Sequence, residues 1–178
     1  DRMAERDIIE TVRRVHPDHG FLGEEGADHG GTSGRRWIVD PIDGTRDFVR
    51  GLPTWSNLIG LEVDGEVVLG TCNLAAQGEL YWAVRGEGTF LNEKRVGVSA
   101  IDRRDRAIAC LTAFDNVAAS PFADRILAHL AGYWAVRSMG GCQDAMLVVS
   151  GRAEVWFESS AKAWDLAPLK ILAEEAGA

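Results

Sequence analysis

Trp37-Ile38-Val39-Asp40-Pro41-Ile42-Asp43-Gly44-Thr45 is an apolar, strand-like run that ends in two carboxylates, then Gly-Thr, then a segment able to form a helix. Gly23-Glu24-Glu25 stands before it and Trp164-Asp165 far after it. A strand that releases carboxylates beside a helix start is a place where a divalent cation and a phosphate can be held together. Asp40 and Asp43 sit three apart around Pro41-Ile42. Pro41 stiffens the turn, so both carboxylates can enter one pocket. The Ile42 carbonyl is expected to be free at such a turn, and hard cations accept backbone oxygens readily. Glu24 and Asp165 would complete an all-oxygen shell, which suits Mg²⁺ better than zinc. Without a cation, four converging carboxylates repel and raise one another's pKa values.

Spacing excludes two rival motifs. A calcium EF-hand loop needs acidic residues at alternate positions before its glycine, and Asp40-Pro41-Ile42-Asp43-Gly44 lacks them. An aspartyl-phosphate site of the Asp-x-Asp-x-Thr type fails because two residues separate Asp40 from Asp43. Each segment alone also has a plain structural reading. The central stretch could be a turn with Asp43 or Thr45 capping a helix, Glu24-Glu25 a solvated loop, and Trp164-Asp165 a cap preceded by an aromatic.

The chain has 178 residues, 46% of them apolar and 26% charged, which suits one domain with an ordinary core. Its 19 basic and 27 acidic residues give a formal charge of −8, so no basic stripe points to nucleic acid. An acidic protein handling a phosphate ester needs cations to reverse the local sign. Cys72, Cys110 and Cys142 are odd in number and widely spaced, which reads as buried reduced thiols in a cytoplasmic protein. No run approaches the ~18 apolar residues of a membrane span. Asp1 opens within a helical pattern and Ala178 follows a helix end, so both ends read as trimmed.

Along the chain, residues 3–15 carry a helical period and Phe21-Leu22-Gly23 a short strand. Gly26 to Gly34 reads as a loop, and Arg36 to Val39 as a buried strand ending at the acidic motif. Gly51-Leu52-Pro53 stops the helix after the motif. A meander follows: Leu58–Val63, the Asp64-Gly65 hairpin, Val67–Leu74, Leu80–Val84, Thr89–Leu91 and a closing Val96-Gly97-Val98. Strands at 107–112, 133–137 and 153–157 then alternate with helices at 121–130, 140–150 and 164–176. The expected organisation is one unit, with metal motif and meander in 1–104 and an alternating α/β layer in 105–178. Stacked layers of helices and sheets are predicted rather than a doubly wound fold.

Taken together, Gly23-Glu24-Glu25, the nonapeptide 37–45, and Trp164-Asp165-Leu166-Ala167 with Glu175-Ala176-Gly177 resemble the inositol monophosphatase superfamily over essentially the whole chain. That superfamily includes histidinol-phosphatases and nucleotide 3′-phosphatases. The resemblance implies an αβαβα sandwich, dependence on two or three Mg²⁺ ions, a homodimer, and hydrolysis of a small phosphomonoester by metal-activated water. It implies Glu24, Asp40 and the Ile42 carbonyl as ligands of the metal that activates water, and Asp40, Asp43 and Asp165 as ligands of a second. Thr45 with Glu24 would orient the attacking water, and the amides of Gly44 and Thr45 would hold phosphate oxygens. The closing Glu-Ala-Gly-Gly of the family is Glu175-Ala176-Gly177-Ala178 here, and its final strand and first helices are absent.

Specificity lies outside that shell. Phe48 to Leu61 is more similar to bacterial histidinol-phosphatases than to animal inositol enzymes. Arg137, Ser138 and Glu158 resemble substrate-facing positions. Glu158 could take a sugar hydroxyl or an ammonium, and the ammonium pairs better with a carboxylate. L-histidinol phosphate is therefore the leading expected substrate, in histidine biosynthesis, ahead of inositol 1-phosphate or a nucleotide 3′-phosphate. A silent metal-binding pseudophosphatase is the alternative of a different class. Lys162 reads equally as a phosphate contact or a solvated side chain. The four histidines read as surface residues and the six tryptophans as core or interface.

Overall fold

The computed structural model describes residues 1–178. Helix α1 (Arg2–Val15) precedes β1 (Gly20–Gly23), a two-residue β2 (Asp28–His29) and β3 (Arg35–Asp43). After α2 (Thr45–Arg50) come β4 (Ser56–Val63), β5 (Glu66–Leu74), β6 (Glu79–Val84), β7 (Gly88–Leu91) and β8 (Lys94–Val96). These strands form one sheet in the order β2-β1-β3-β4-β5-β6-β7-β8. Only β1 and β3 run parallel. The Asp64-Gly65 hairpin forms as expected, with φ 51° and 86°, the two positive values a tight two-residue loop needs.

The motif strand is longer than the sequence reading, and the difference matters. β3 does not stop at Val39 but continues through Asp43, with an irregularity against β4. Asp40 pairs Leu58 and Asp43 pairs Ser56, so Pro41 and Ile42 stand opposite the single residue Asn57. Pro41 has no N–H to donate to the ladder, which favours a bulge at this point. The Asn57 side-chain amide donates to the Pro41 carbonyl at 2.6 Å and fixes it. In a regular strand, residues three apart point to opposite faces. The extra residue reverses that alternation and turns Asp40 and Asp43 to the same side.

The second half supplies β9 (Ile108–Leu111), α3 (Phe114–Ala119), α4 (Ala123–Leu130), β10 (Ala135–Arg137), α5 (Gly141–Val149), β11 (Val155–Phe157) and α6 (Ala163–Ala176). The three strands make a parallel sheet, β10-β9-β11. Helix α6 lies on the large sheet, and α5 touches both α6 and the small sheet. The main core sits between them, with Leu58, Leu74 and Tyr81 of the sheet against Met146, Val149, Leu169 and Leu172 of the helices. On β9, Ala109 and Leu111 face α3 and α4 through Val117 and Leu130. The chain is thus a mixed α/β layered fold: α1 against the large sheet, then α5 and α6, the small sheet, and α3 with α4.

Three expectations are corrected. The six-residue α3 lies where no helix was expected. It is too short for a periodic signal and is entered through Ala113 at φ 55°. The meander closes at Lys94–Val96 rather than at Val98, because the Val98 amide bonds the Ala176 carbonyl at the end of α6. The stretch from Gly26 to Gly34 contains β2, paired with β1.

Candidate active site

The carboxyl ends of β1 and β3 from one sheet and of β9 and β11 from the other open on a common cavity of about 380 Å³. Helices α5 and α6 also begin at its edge, through Gly141 and Asp165. Clefts outside strand carboxyl ends are where open α/β sheets place ligands. Three aspartates in the cavity are each positioned by a backbone amide. Asp40 Oδ1 accepts the Ile42 N–H at 3.0 Å, two residues along the same bulge. Asp43 Oδ2 accepts the Cys142 N–H at 3.3 Å from the first turn of α5. Asp165, third residue of α6, accepts the Lys162 N–H on Oδ2 at 2.6 Å and so closes its own helix start. One oxygen of each carboxylate is held in this way, and the second remains for a ligand. Ligand atoms of all three lie within 4.8 Å of one another.

Glu24 stands exposed at the rim, with its amide bonded to the Val39 carbonyl at 3.1 Å. Its carboxyl lines the same cavity and its charge acts on Asp40, but it lies outside the group of three whose ligand atoms converge. Burial, then the charges of Asp43 and Glu24, push the Asp40 carboxyl up to about 9. Burial also raises Asp43, against the opposing hydrogen bonds from Cys142. Glu24 is raised by desolvation in the same crowd. Such a group cannot hold all its charges alone, and its donors are all oxygen. That chemistry fits a hard divalent cation and argues against zinc.

The Ile42 carbonyl is not free as expected: it accepts the Thr45 hydroxyl at 3.1 Å. A carbonyl has two lone pairs, so this bond leaves one for a ligand. Gly44, at φ 82°, is the residue from which α2 starts, and with Thr45 it lines the cavity. The side-chain cap from Asp43 or Thr45 that the plain structural reading of the motif offered is not formed.

Glu158 also lines the cavity. Its Oε1 accepts the amides of Ser159 at 2.8 Å and Ser160 at 3.0 Å, which leaves the other oxygen without a protein donor. Arg137 and Ser138 stand exposed at the end of β10, outside the cavity lining, and the Arg137 guanidinium bonds the Val136 carbonyl instead. Lys162 is exposed and outside the lining too.

Sequence reasoning missed several wall residues. Thr112 and Trp156 line the cavity, with the indole N–H donating to the Thr112 hydroxyl at 2.9 Å and that hydroxyl reaching Asp144 at 3.3 Å. Arg46, the cation of the wall, directly follows Thr45. Nothing local in the sequence marks Thr112 or Trp156, whereas Arg46 was legible as the neighbour of the motif. His19, read as a surface residue, is buried and accepts the Trp37 indole N–H at 2.9 Å.

A model of the inositol monophosphatase family matches residues 1–178. A histidinol-phosphatase of Chlorobaculum parvum is 41% identical over 177 residues, covering 99% of this chain and 68% of the relative. An inositol-1-monophosphatase of Rhizobium meliloti is 39% identical, with 99% and 68% covered. The crystal structure of the extragenic suppressor protein suhB from Bartonella henselae superposes with a TM-score of 0.90 at 32% identity, covering 99% of this chain and 69% of that one.

Proposed function

This chain belongs to the inositol monophosphatase family, and from that premise we propose that it hydrolyses L-histidinol phosphate to histidinol and phosphate. The observation that carries the phosphatase reading is the convergence of Asp40, Asp43 and Asp165 at the mouth of a cavity walled by Gly44 and Thr45. Those three carboxylates, with Glu24 and the Ile42 carbonyl, would hold Mg²⁺. A bound divalent cation supplies positive charge that neutralises the carboxylates, polarises the phosphate and eases deprotonation of water.

The chain's own groups do the rest. Thr45 spends its proton on the Ile42 carbonyl, so toward water its hydroxyl oxygen acts as an acceptor. Glu24, at the rim beside Asp40, takes the proton of the attacking water. The amides of Gly44 and Thr45 hold phosphate oxygens. The substrate reading rests on Glu158, whose free oxygen suits the ammonium of an amino alcohol, and agrees with the name of the Chlorobaculum relative. The proposal includes a homodimer, supported by half-exposed Leu80 beside the stacked Trp82 and Phe90 on the meander. A cytoplasmic setting is supported by three buried, unpaired cysteines.

The test is a side-by-side kcat/KM on histidinol phosphate, inositol 1-phosphate and a nucleotide 3′-phosphate, with and without Mg²⁺. Metal-dependent turnover with histidinol phosphate preferred is expected. Preference for either other ester overturns the substrate. No turnover of any ester with Mg²⁺ present overturns the enzyme reading in favour of a binding protein.

A further inference from the structure

Glu5, in the first turn of α1, is a buried acidic residue outside the cavity lining that is built into the loop carrying Glu24. It is 5% exposed, and no cation pairs with it. Its Oε2 accepts the Glu25 N–H at 2.9 Å and its Oε1 accepts the Ala27 N–H at 3.1 Å. The carboxylate occupies the space where a side chain on Gly23 would project, so a Cβ there would collide with it. Gly23 and Glu25 flank Glu24. On the other side, the Glu24 amide is tied to the Val39 carbonyl, one residue before Asp40.

We propose that Glu5 is a positioning residue: its carboxylate is the template on which the Gly23–Ala27 turn is wound, and this holds Glu24 against Asp40 for cation binding. The inference rests on the reading of Glu24 as a cation ligand. Both loop amides are donors, so the template must accept at both oxygens, and an ionised carboxylate does so. A glutamine in its place accepts at one oxygen and turns an N–H₂ toward the other amide. The turn loosens while the helix and the sheet keep their packing. Groups that orient a ligand without touching the cation are commonly worth about 10–100-fold in its affinity.

The test compares Glu5→Gln with the intact chain by titrating Mg²⁺ calorimetrically, without substrate, and by following amide exchange at Glu25 and Ala27. Expected are Mg²⁺ affinity weakened about tenfold or more and faster exchange at those two amides. A structural tie alone would lower thermal stability and leave Mg²⁺ affinity unchanged, and that result overturns the proposal. Should Glu5→Gln fail to fold, the unsubstituted protein still decides. Glu25 and Ala27 amides that exchange as fast as the Gly30-Gly31 loop, or whose protection is indifferent to added Mg²⁺, refute the template, and protection that rises when Mg²⁺ is added upholds it. An intact chain that binds no Mg²⁺ overturns both this inference and the ligand reading of Glu24. Binding by the intact chain with equal binding by the variant overturns this inference alone.

Discussion

Asp43 Oδ2 and the backbone N–H of Cys142 meet at 3.3 Å across a sequence separation of 99 residues. The bond joins the bulge of the large sheet to the start of α5, so the acidic cluster is tied directly to the second layer. Because the donor is main chain, the contact asks nothing of the Cys142 side chain. It asks only that residue 43 keep an acceptor.

Asp43→Asn keeps that acceptor as an amide oxygen and removes the charge. Metal-dependent turnover is expected to fall by more than the roughly 100-fold upper range seen when an outer group is lost, because a direct ligand is altered. In EDTA the melting temperature should hold or rise, since burial and the Asp165 charge penalise the Asp43 anion. Near-normal kcat/KM for this variant at saturating Mg²⁺ would remove Asp43 from the cation site.

Asp40 makes a pH prediction. It is an acid whose folded pKa lies at about 9, above its ordinary value of 3.8. The fold therefore favours the protonated form. The metal-free protein gets its full benefit from this below about pH 3.8, and loses it progressively as pH rises toward 9. Cation binding needs the ionised form and releases protons. In EDTA the Asp40 contribution should thus lower stability between pH 5 and 9, and Asp40→Asn should flatten that slope. The stabilisation added by Mg²⁺ should grow over the same range. Calorimetry in two buffers of different ionisation enthalpy should report proton release on Mg²⁺ binding; no release would contradict the raised carboxyls.

Much of this was legible because it is local. The period of α1, the Asp64-Gly65 turn, the glycine stop at Gly51 and the alternation after residue 105 each depend on a few adjacent residues. The acidic residues were legible as a set through their motifs. The bulge was not: it needs Pro41 and Asn57 together, 16 residues apart, and turns a presumed strand end into a strand that bends. Nor were Thr112 and Trp156, which reach the cavity because the small sheet points its carboxyl ends at the large one. His19 has no local sign of burial; it is covered by Trp37 on a parallel neighbour strand and by stacking on His16.

His19 gives a second pH effect of opposite sign. Burial first, then the neighbouring His16, hold it below its ordinary value of 6.5. Its Nδ1 accepts the Trp37 indole N–H, which a proton on that nitrogen would break. A base with a lowered folded pKa contributes stability above about pH 6.5, which is lost as pH falls below it. Melting temperature should drop between pH 7 and 5 together with a change in Trp37 fluorescence. His19→Gln should flatten the His19 part of this slope; an unchanged slope would mean that other groups carry it.

Gly60 and Gly70 pair across β4 and β5 beneath Pro168 of α6, but they are not equivalent. A Cβ on Gly70 would press into the Ile171 side chain and the Pro168 carbonyl, whereas one on Gly60 would meet the Pro168 ring at an ordinary 3.5 Å. Overpacking of this kind costs about 1–3 kcal/mol. Gly70→Ala should therefore destabilise by about that much in urea unfolding, and Gly60→Ala by clearly less. Equal losses would mean that helix α6 yields freely at both sites.

Glu158 decides between substrates. Its Oε1 accepts two amides, so the oxygen left to accept from a ligand is Oε2. Glu158→Gln keeps the size and removes the charge. A hydrogen bond to a charged group is worth about 1.5–3 kcal/mol, or roughly 10–150-fold. That loss should fall on kcat/KM for histidinol phosphate, whose ammonium needs the anion. For inositol 1-phosphate, whose hydroxyls can use an amide equally well, the change should stay within a few-fold. Equal losses on both esters would show that Glu158 acts on the cavity as a whole, and the preference for a cationic amino alcohol would then have to come from another group in the wall.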